Sequence, residues 1–295
     1  MAEHNIPRPH LACEISADAV VAARADTSGK ALEAAAGRKV PEGALTPGLA
    51  HANVNAREVL VALMEESLAA VAGRSGDLCL IIPDATTRVM LLDFDTLPEK
   101  PQEADAVVRF RLKKSLPFDV DQSSVSFDRQ GTSNPVRVVA AVTPRTVLEE
   151  YESLVREAGY NPGTVLPSMI AALGAVDGSR PTMIIKVERG TTTFAIVDAN
   201  ELRLYRALEN RSATVTGEAL VDDVNTSLVY FEDRYAVGVD RVLVTGVDSA
   251  QELQAALSAT SNVRVEDLIS SSMAGAAAGS VPRSALAGVV GALVS

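Results

Sequence analysis

The chain has 295 residues, of which 38 are Asp or Glu and 27 are Lys or Arg, so its formal net charge is −11. This acidic balance argues against a nucleic-acid binder, because phosphate contacts need clustered Lys and Arg. Two cysteines and three histidines are too few for a disulfide framework or a histidine-rich metal site, and the length predicts two lobes or domains.

The first half alternates between predicted strands and helices. Apolar runs at residues 11–15 and 19–23, separated by a Ser-Ala-Asp turn, predict a hairpin at the edge of a sheet. Residues 56–72 have the apolar spacing of a helix. Further strands are predicted at residues 30–38, 78–82, 88–94, 124–129 and 137–142, with helices at 104–116 and 144–158 and a short one ending at 173.

The second half repeats this order after a candidate boundary at residues 178–181. The predicted elements are a three-stranded meander (183–188, 192–197, 201–208), a helix (216–235), a strand (241–245), a helix (249–257) and a strand (262–266). Residues 284–295 predict a buried terminal helix, because about a dozen apolar residues are too few to span a membrane. The N-terminus lacks the apolar core of a signal peptide, so we expect a cytoplasmic protein.

Three segments carry a resemblance to a known family. In LIIPDATTRVMLLDFDTLP (80–98), Pro-Asp follows an apolar strand. In ADAVVRFRLKKSLPFDVDQSSVSFD (104–128), a helix precedes Pro117-Phe118 and an acidic stretch. Together with VTPRTVLEEYESLVREAGYNPGTVLPSMIAAL (142–173), the order of these pieces resembles the PilM family of type IV pilus assembly proteins, which is related to the cytoplasmic domain of type II secretion GspL.

The resemblance implies a fold class and a division of the chain. The fold would be α/β and two-lobed, actin-like with a duplicated ribonuclease H-like core, an inserted αβ subdomain in the first lobe and a reduced second-lobe subdomain. The first lobe would cover residues 1–178, with the insert at about 85–159. The second lobe would cover residues 179–295, with a C-terminal helix that either stays there or returns to the first lobe.

The resemblance also implies a function. The chain would be a cytoplasmic scaffold of a type IV pilus, or of a related pilus or type II secretion platform, peripheral at the inner membrane through its partner. The partner would be the N-terminal cytoplasmic peptide of a PilN-like bitopic membrane protein, bound in a groove around the insert at about 85–159, with self-association left open. Residues assigned to this contact are Arg88, Val107, Phe110, Arg111, Pro117 and Phe118.

In the PilM family the cleft between the lobes holds ATP. The first matching hairpin lacks the family's Gly and Lys, and Ser16 places a Cβ where backbone should approach phosphate. The second hairpin keeps Gly190 but has Glu188 in place of Asp. The short segment before residue 235 lacks much of the adenine-side wall. The matching positions are Glu14, Ser16, Glu188, Gly190, Thr191, Thr192 and Gly246.

We therefore expect a degenerate nucleotide site, with no catalytic residue, no metal and no cofactor. One alternative is an actin-like switch that binds ATP and Mg²⁺ and hydrolyses the nucleotide slowly. Another is a sugar- or acid-kinase relative, which would share the fold but needs a catalytic carboxylate and a substrate pocket that the sequence does not locate.

Overall fold

The computed structural model describes residues 10–71, 76–131, 135–210, 212, 214–247, 250–274, 279 and 281–294. The strands are β1 Leu11–Ile15, β2 Ala19–Ala25, β3 Leu32–Lys39, β4 Asp77–Ile82, β5 Arg88–Phe94, β6 Ser123–Gln130, β7 Val136–Pro144, β8 Asn161–Pro167, β9 Thr182–Glu188, β10 Thr191–Asp198, β11 Glu201–Glu209, β12 Arg241–Thr245 and β13 Arg264–Asp267. The helices are α1 Arg57–Val71, α2 Pro101–Lys113, α3 Arg145–Glu157, α4 Ser168–Leu173, α5 Gly217–Tyr235, α6 Ala250–Leu257, α7 Ser271–Ala274 and α8 Ala287–Leu293.

The first sheet has the strand order β3-β2-β1-β4-β8. β1 pairs antiparallel with β2 and parallel with β4, while β3 pairs with the other side of β2. The expectation that the hairpin of β1 and β2 lies at a sheet edge was therefore wrong. Residues 11–15 are all buried, as befits a strand with neighbours on both sides and cores on both faces.

Helices α1 and α3 cover one face of the first sheet. Leu60, Met64 and Leu68 of α1 recur at helical spacing and are fully buried there. Tyr151 of α3 is also buried, and its hydroxyl donates to Asn53 Oδ1 at 3.0 Å. The Tyr151–Asn53 contact ties α3 to the segment before α1. α3 and β8 both line the groove described below.

A third sheet is inserted between β4 and β8. It has the antiparallel order β5-β7-β6. α2 covers one of its faces through Val108 and Leu112, which pack on Val138 and Ala140 of the central strand. This unit has its own apolar core, separate from those of the two larger sheets.

The second sheet has the order β11-β10-β9-β12-β13. α5 and α6 cover its outer face through side chains such as Phe231 and Leu253. α5 begins directly after a short link from β11, and the Thr216 hydroxyl accepts from the Ala219 N–H at 3.3 Å as its N-cap. No further strand or helix lies between β11 and α5 in the described part of this link.

A shared apolar core lies between the two large sheets, and α4 and α8 contribute to it. The two helices touch backbone to backbone, because a Cβ at Gly174 would lie 2.1 Å from the Gly291 carbonyl oxygen. α8 is the terminal helix that the apolar run predicted, and it packs on α4, β1 and β2. Among the helices in the described ranges, none has both the length and the apolar character needed to cross a membrane.

Candidate functional site: the cleft between the lobes

The two turns that match the nucleotide hairpins face each other across the cleft. The β1–β2 turn carries Asp18, and the β9–β10 turn carries Arg189. The Arg189 Nε donates to Asp18 Oδ1 at 2.7 Å. Arg189 also lies 3.6 Å from Glu42. The turn tips are thus tied to each other directly, in the space where a phosphate chain would have to enter.

Deeper in the cleft, a lysine joins the lobes. Lys186 Nζ lies 3.1 Å from Glu14 Oε1 on β1 and 2.8 Å from Glu188 Oε1 on its own strand. Residues 186 and 188 are two apart on β9, so both side chains lie on one face. All three side chains are less than a tenth exposed. Burial alone would lower the pKa of Lys186, but the carboxylates of Glu14, Glu188 and Asp84 raise it above its usual value.

Glu14 is held by two further contacts. The Ser168 hydroxyl, at the start of α4, donates to its Oε1. Gly288 of α8 lies against the other oxygen, since a Cβ there would be 2.4 Å from Glu14 Oε2. Oε2 has no hydrogen-bond partner among the described residues. α8 thus closes the floor of the cleft over Glu14.

Asp84 forms the fourth member of this cluster, at the end of β4. Its Oδ1 accepts from the Met169 N–H at 2.9 Å and from the Tyr205 hydroxyl at 3.1 Å. Its own N–H donates to Glu188 Oε2 at 3.4 Å. Burial, together with the charge of Glu188, raises the pKa of Asp84 to about 7, although the Lys186 charge opposes the shift. The Lys186 cluster is defined here as Glu14, Asp84, Lys186 and Glu188.

Some of the predicted nucleotide residues serve the local structure. The Ser16 hydroxyl accepts from the Ala19 N–H at 3.1 Å within its own turn. The Thr192 hydroxyl donates to Asn210 Oδ1 at 2.7 Å, and Asn210 in turn donates to the Glu188 carbonyl at 2.8 Å. Thr191 is buried in β10. The hydroxyls of Ser16 and Thr192 therefore already have partners inside their own lobe.

The two predicted glycines both have positive φ but differ in surroundings. Gly190 has φ +85° in an open turn, with no atom near the position of a Cβ. Gly246 has φ +82°, and a Cβ there would lie 1.9 Å from the Val187 carbonyl oxygen. Gly246 is thus required for the close approach of the end of β12 to β9.

The space in the cleft is divided. A cavity of about 220 Å³ lies beside Ser16, Glu14, Lys186 and Ser284, and a second cavity of about 150 Å³ adjoins it beside Arg189, Gly246 and Val247. Among the residues described, no group of three or more His, Cys, Asp or Glu is arranged to hold a metal ion. The Lys186 ammonium itself lies between the carboxylates of Glu14 and Glu188.

The six residues assigned to partner binding lie on β5, on α2 and in the link after α2. Arg88 is exposed on β5, whereas Phe110 and Arg111 are exposed on α2. Lys114 lies over the Phe110 ring at 4.4 Å. Val107 and Phe118 are half-buried and pack on the core of the third sheet, and Pro117 is exposed beside them.

A different groove separates the third sheet from the first. Its floor is the sheet face opposite α2, where the side chains are small, and one wall is β8, the terminal strand of the first sheet. This part measures about 270 Å³, and an adjoining part of about 380 Å³ extends along α3. The insert groove is defined as both parts, lined by Ile82, Thr87, Arg109, Ser124, Val125, Ser126, Ala141, Thr143, Arg145, Leu148, Glu149, Glu152, Arg156, Pro162, Gly163, Val165 and Pro167.

Sequence reasoning missed Lys186, and it expected a groove around the insert but named none of the residues that line the groove described here. Lys186 had a visible signal, because it is the one charge inside the apolar run MIIKV, and buried lysines are rare unless paired. For the groove, Pro162 and Pro167 in β8 were a signal, since proline in a strand favours a sheet edge.

Comparisons with known proteins identify the fold. No family model and no curated protein matches the chain. Among solved structures, the PilM-PilN type IV pilus biogenesis complex matches with a TM-score of 0.72 at 17% identity, over 87% of each chain. A Bacteroides thetaiotaomicron protein with an actin-like ATPase fold and unknown function matches at 0.52 and 12% identity, over 87% of this chain and 90% of the other.

A third match is the cytoplasmic domain of EpsL, an inner membrane component of the type II secretion system of Vibrio cholerae. Its TM-score is 0.50 at 10% identity, over 89% of this chain and 98% of that domain. These matches confirm the predicted fold class, including the insert in the first lobe and the short second-lobe link after β11. The chain therefore has a two-lobed actin-like fold that is similar to the structure of PilM with PilN.

Proposed function

We propose that the chain is a cytoplasmic scaffold of a type IV pilus, or of a related secretion assembly platform. In this role it binds the N-terminal cytoplasmic peptide of a PilN-like bitopic membrane protein, and so lies at the inner membrane through its partner. The insert groove carries the proposal, and the similarity to a PilM-PilN complex supports a partner of this kind.

The groove has the chemistry of a site for an extended peptide. Its floor consists of small side chains, among them Ser124, Ser126 and Ala141, which let another backbone approach closely. β8 and β6 are the terminal strands of their sheets, so among the described strands each has a neighbour on one side only. An added strand pairs with such an edge through main-chain hydrogen bonds, and pockets beside it receive alternate side chains. Leu148 and Val165 supply apolar surface for such anchors.

The proposal is tested by calorimetry with a synthetic peptide. The peptide is the N-terminal cytoplasmic segment of the PilN-like protein whose gene lies nearest to the gene of this chain. We expect saturable binding to the wild type. Gly163→Phe places a ring in the groove. The backbone tolerates a side chain there, because the nearest atom to the position of the Cβ is the Leu78 carbonyl oxygen at 3.7 Å, an ordinary van der Waals distance. Ser126→Phe likewise places a ring in the groove, from the floor. Each should weaken binding by at least tenfold, about 1.4 kcal/mol.

Phe110→Ala is the matched control, because Phe110 is exposed outside the groove on the surface that the sequence favoured. Unchanged peptide affinity in this variant supports the groove. If Phe110→Ala weakens binding and the two groove variants do not, the peptide lies along α2 instead. If the peptide does not bind the wild type at all, the scaffold proposal is wrong.

We further infer that the cleft is a degenerate nucleotide site. The observation behind this is the Lys186 ammonium between Glu14 and Glu188, where a nucleotide-bound cation would need those oxygens. Titration of the wild type with Mg-ATP should give no heat of binding. Micromolar binding that is lost on Gly190→Val would instead favour the ATP-dependent switch, the alternative that an actin-like ATPase fold makes reasonable.

A further inference from the structure

A buried ammonium group links the two lobes. Lys186 belongs to the second lobe, and its Nζ lies 3.1 Å from Glu14 Oε1 of the first. We propose that Lys186 is a built-in cation that closes the cleft, so that the lobes keep one arrangement without any bound ligand. The proposal goes beyond the scaffold role and does not depend on peptide binding.

The first support is that a buried lysine charge compensates two buried carboxylate charges. Lys186, Glu14 and Glu188 have side-chain exposures of 8%, 7% and 9%. Without the ammonium, two carboxylates from opposite lobes would face each other in a medium that screens charge poorly. An uncompensated buried charge is strongly destabilising, so the ammonium removes a repulsion that would otherwise oppose the contact of the lobes at this point.

The second support is that the position of the ammonium is fixed by its surroundings. The alternation of β9 places Lys186 and Glu188 on one face of the strand. The Ser168 hydroxyl and Gly288 set the carboxylate of Glu14, as described above. Each acceptor therefore has a contact besides the lysine, Glu14 with Ser168 and Glu188 with the Asp84 N–H, which is how a site of fixed geometry is supported.

The third support is a second pair of the same polarity at the mouth of the cleft. Arg189 of the second lobe donates to Asp18 of the first at 2.7 Å. In both pairs, a basic side chain of the second lobe contacts an acidic side chain of the first lobe. In two-lobed proteins that close around a ligand, the ligand supplies the contacts to both lobes. Here side chains of the chain itself make those contacts.

Lys186→Met tests the proposal, with Lys113→Met as the control. Both variants lose one lysine charge, but Lys113 is half exposed and pairs with Asp121 on the surface of the insert. We expect Lys186→Met to lower the Tm by about 5–10 °C relative to the control, since it leaves buried carboxylates unpaired. Small-angle X-ray scattering should show a larger radius of gyration for this variant, because the cleft opens. A Tm within about 2 °C of the control, or an unchanged radius of gyration, would overturn the proposal.

A triple variant separates charge from packing. Glu14→Gln, Lys186→Met and Glu188→Gln together leave no unpaired charge among these three positions. If charge is the cause, the triple variant should recover at least half of the lost Tm, and it should fold even where Lys186→Met alone does not. A triple variant that is as unstable as Lys186→Met, or that fails to fold, would mean that the lysine acts through packing, and the proposal would be wrong.

Discussion

The cleft and the insert groove differ in how their polar groups are satisfied. In the cleft, charged groups from opposite lobes pair with each other, as Lys186 does with Glu14 and Arg189 with Asp18. In the insert groove, the floor is formed by small side chains, and two terminal strands bound the space. A region that has already paired its own charges has little left for a ligand, whereas an open strand edge has unused backbone groups. This contrast explains why we assign partner binding to the groove.

Matched variants in the two regions test this difference. The largest loss of stability is expected for a substitution at Gly246. Gly246→Ala should destabilise the protein by about 3 kcal/mol or more, which combines a left-handed backbone cost of about 1–2 with overpacking of about 1–3 kcal/mol. Its Cβ would meet the Val187 carbonyl at 1.9 Å. Gly163→Ala in the groove should change the unfolding free energy little. Urea unfolding of both variants measures the difference, and equal midpoints would contradict the contrast.

A smaller effect is expected from removing one carboxylate of each region. Glu14→Gln should cost about 2 kcal/mol, less than the roughly 3–5 kcal/mol of a fully broken buried pair, because Lys186 keeps Glu188 as a partner. The groove counterpart, Glu152→Gln, loses only a partly exposed pair with Arg156 and should cost less than about 0.5 kcal/mol. Chemical denaturation gives both values. If Glu152→Gln lowers the unfolding free energy as much as Glu14→Gln does, the buried pair in the cleft contributes no more to stability than the exposed pair in the groove.

The third prediction concerns pH and rests on Asp84. Burial, and then the charge of Glu188, raises its folded-state pKa from 3.8 to about 7. Between about pH 4 and pH 7 the folded protein therefore holds a proton that the unfolded chain has released, so this group's contribution to stability falls as pH rises. The fall is up to about 1.4 kcal/mol per pH unit.

Asp84→Asn removes this titration and keeps an oxygen that can accept from Met169 and Tyr205. The stability of the variant relative to the wild type should therefore rise between pH 4 and pH 7 and then level off. Thermal unfolding across this range gives the difference curve. Parallel curves for the two proteins would show that Asp84 is ionised throughout.

The elements that the sequence predicted well are those with local signals. Pro144 before α3 and Gly159 after it, with φ +84°, mark the ends of that helix by chemistry that acts within a turn. The fold class followed from the order of such elements. The central position of β1 did not, because whether a hairpin lies inside or at the edge of a sheet depends on β4, which is about sixty residues away.

The candidate site was predictable only in part. The two hairpin turns had local signals in the sequence, since each is a turn at a strand end, and the structure brings them together through Arg189 and Asp18. The sequence also showed that the first hairpin lacks its lysine. It did not show that Lys186 reaches Glu14 from another strand, because that contact joins residues 172 positions apart. The resemblance led us to expect a groove around the insert, but its lining residues were not predictable for the same reason, since its walls come from separate sheets.

The smallest effect is expected at the mouth of the cleft. Arg189→Ala removes the pair with Asp18, whose side chains are 38% and 51% exposed, so the cost should stay below about 1 kcal/mol. The groove counterpart Arg156→Ala removes an exposed helical pair and should cost about as little. Because exposed pairs are screened, the cost of Arg189→Ala should shrink further at molar salt, while that of Glu14→Gln should persist. If the Arg189 cost exceeds that of Glu14→Gln, or is insensitive to salt, the mouth rather than the buried lysine holds the lobes together.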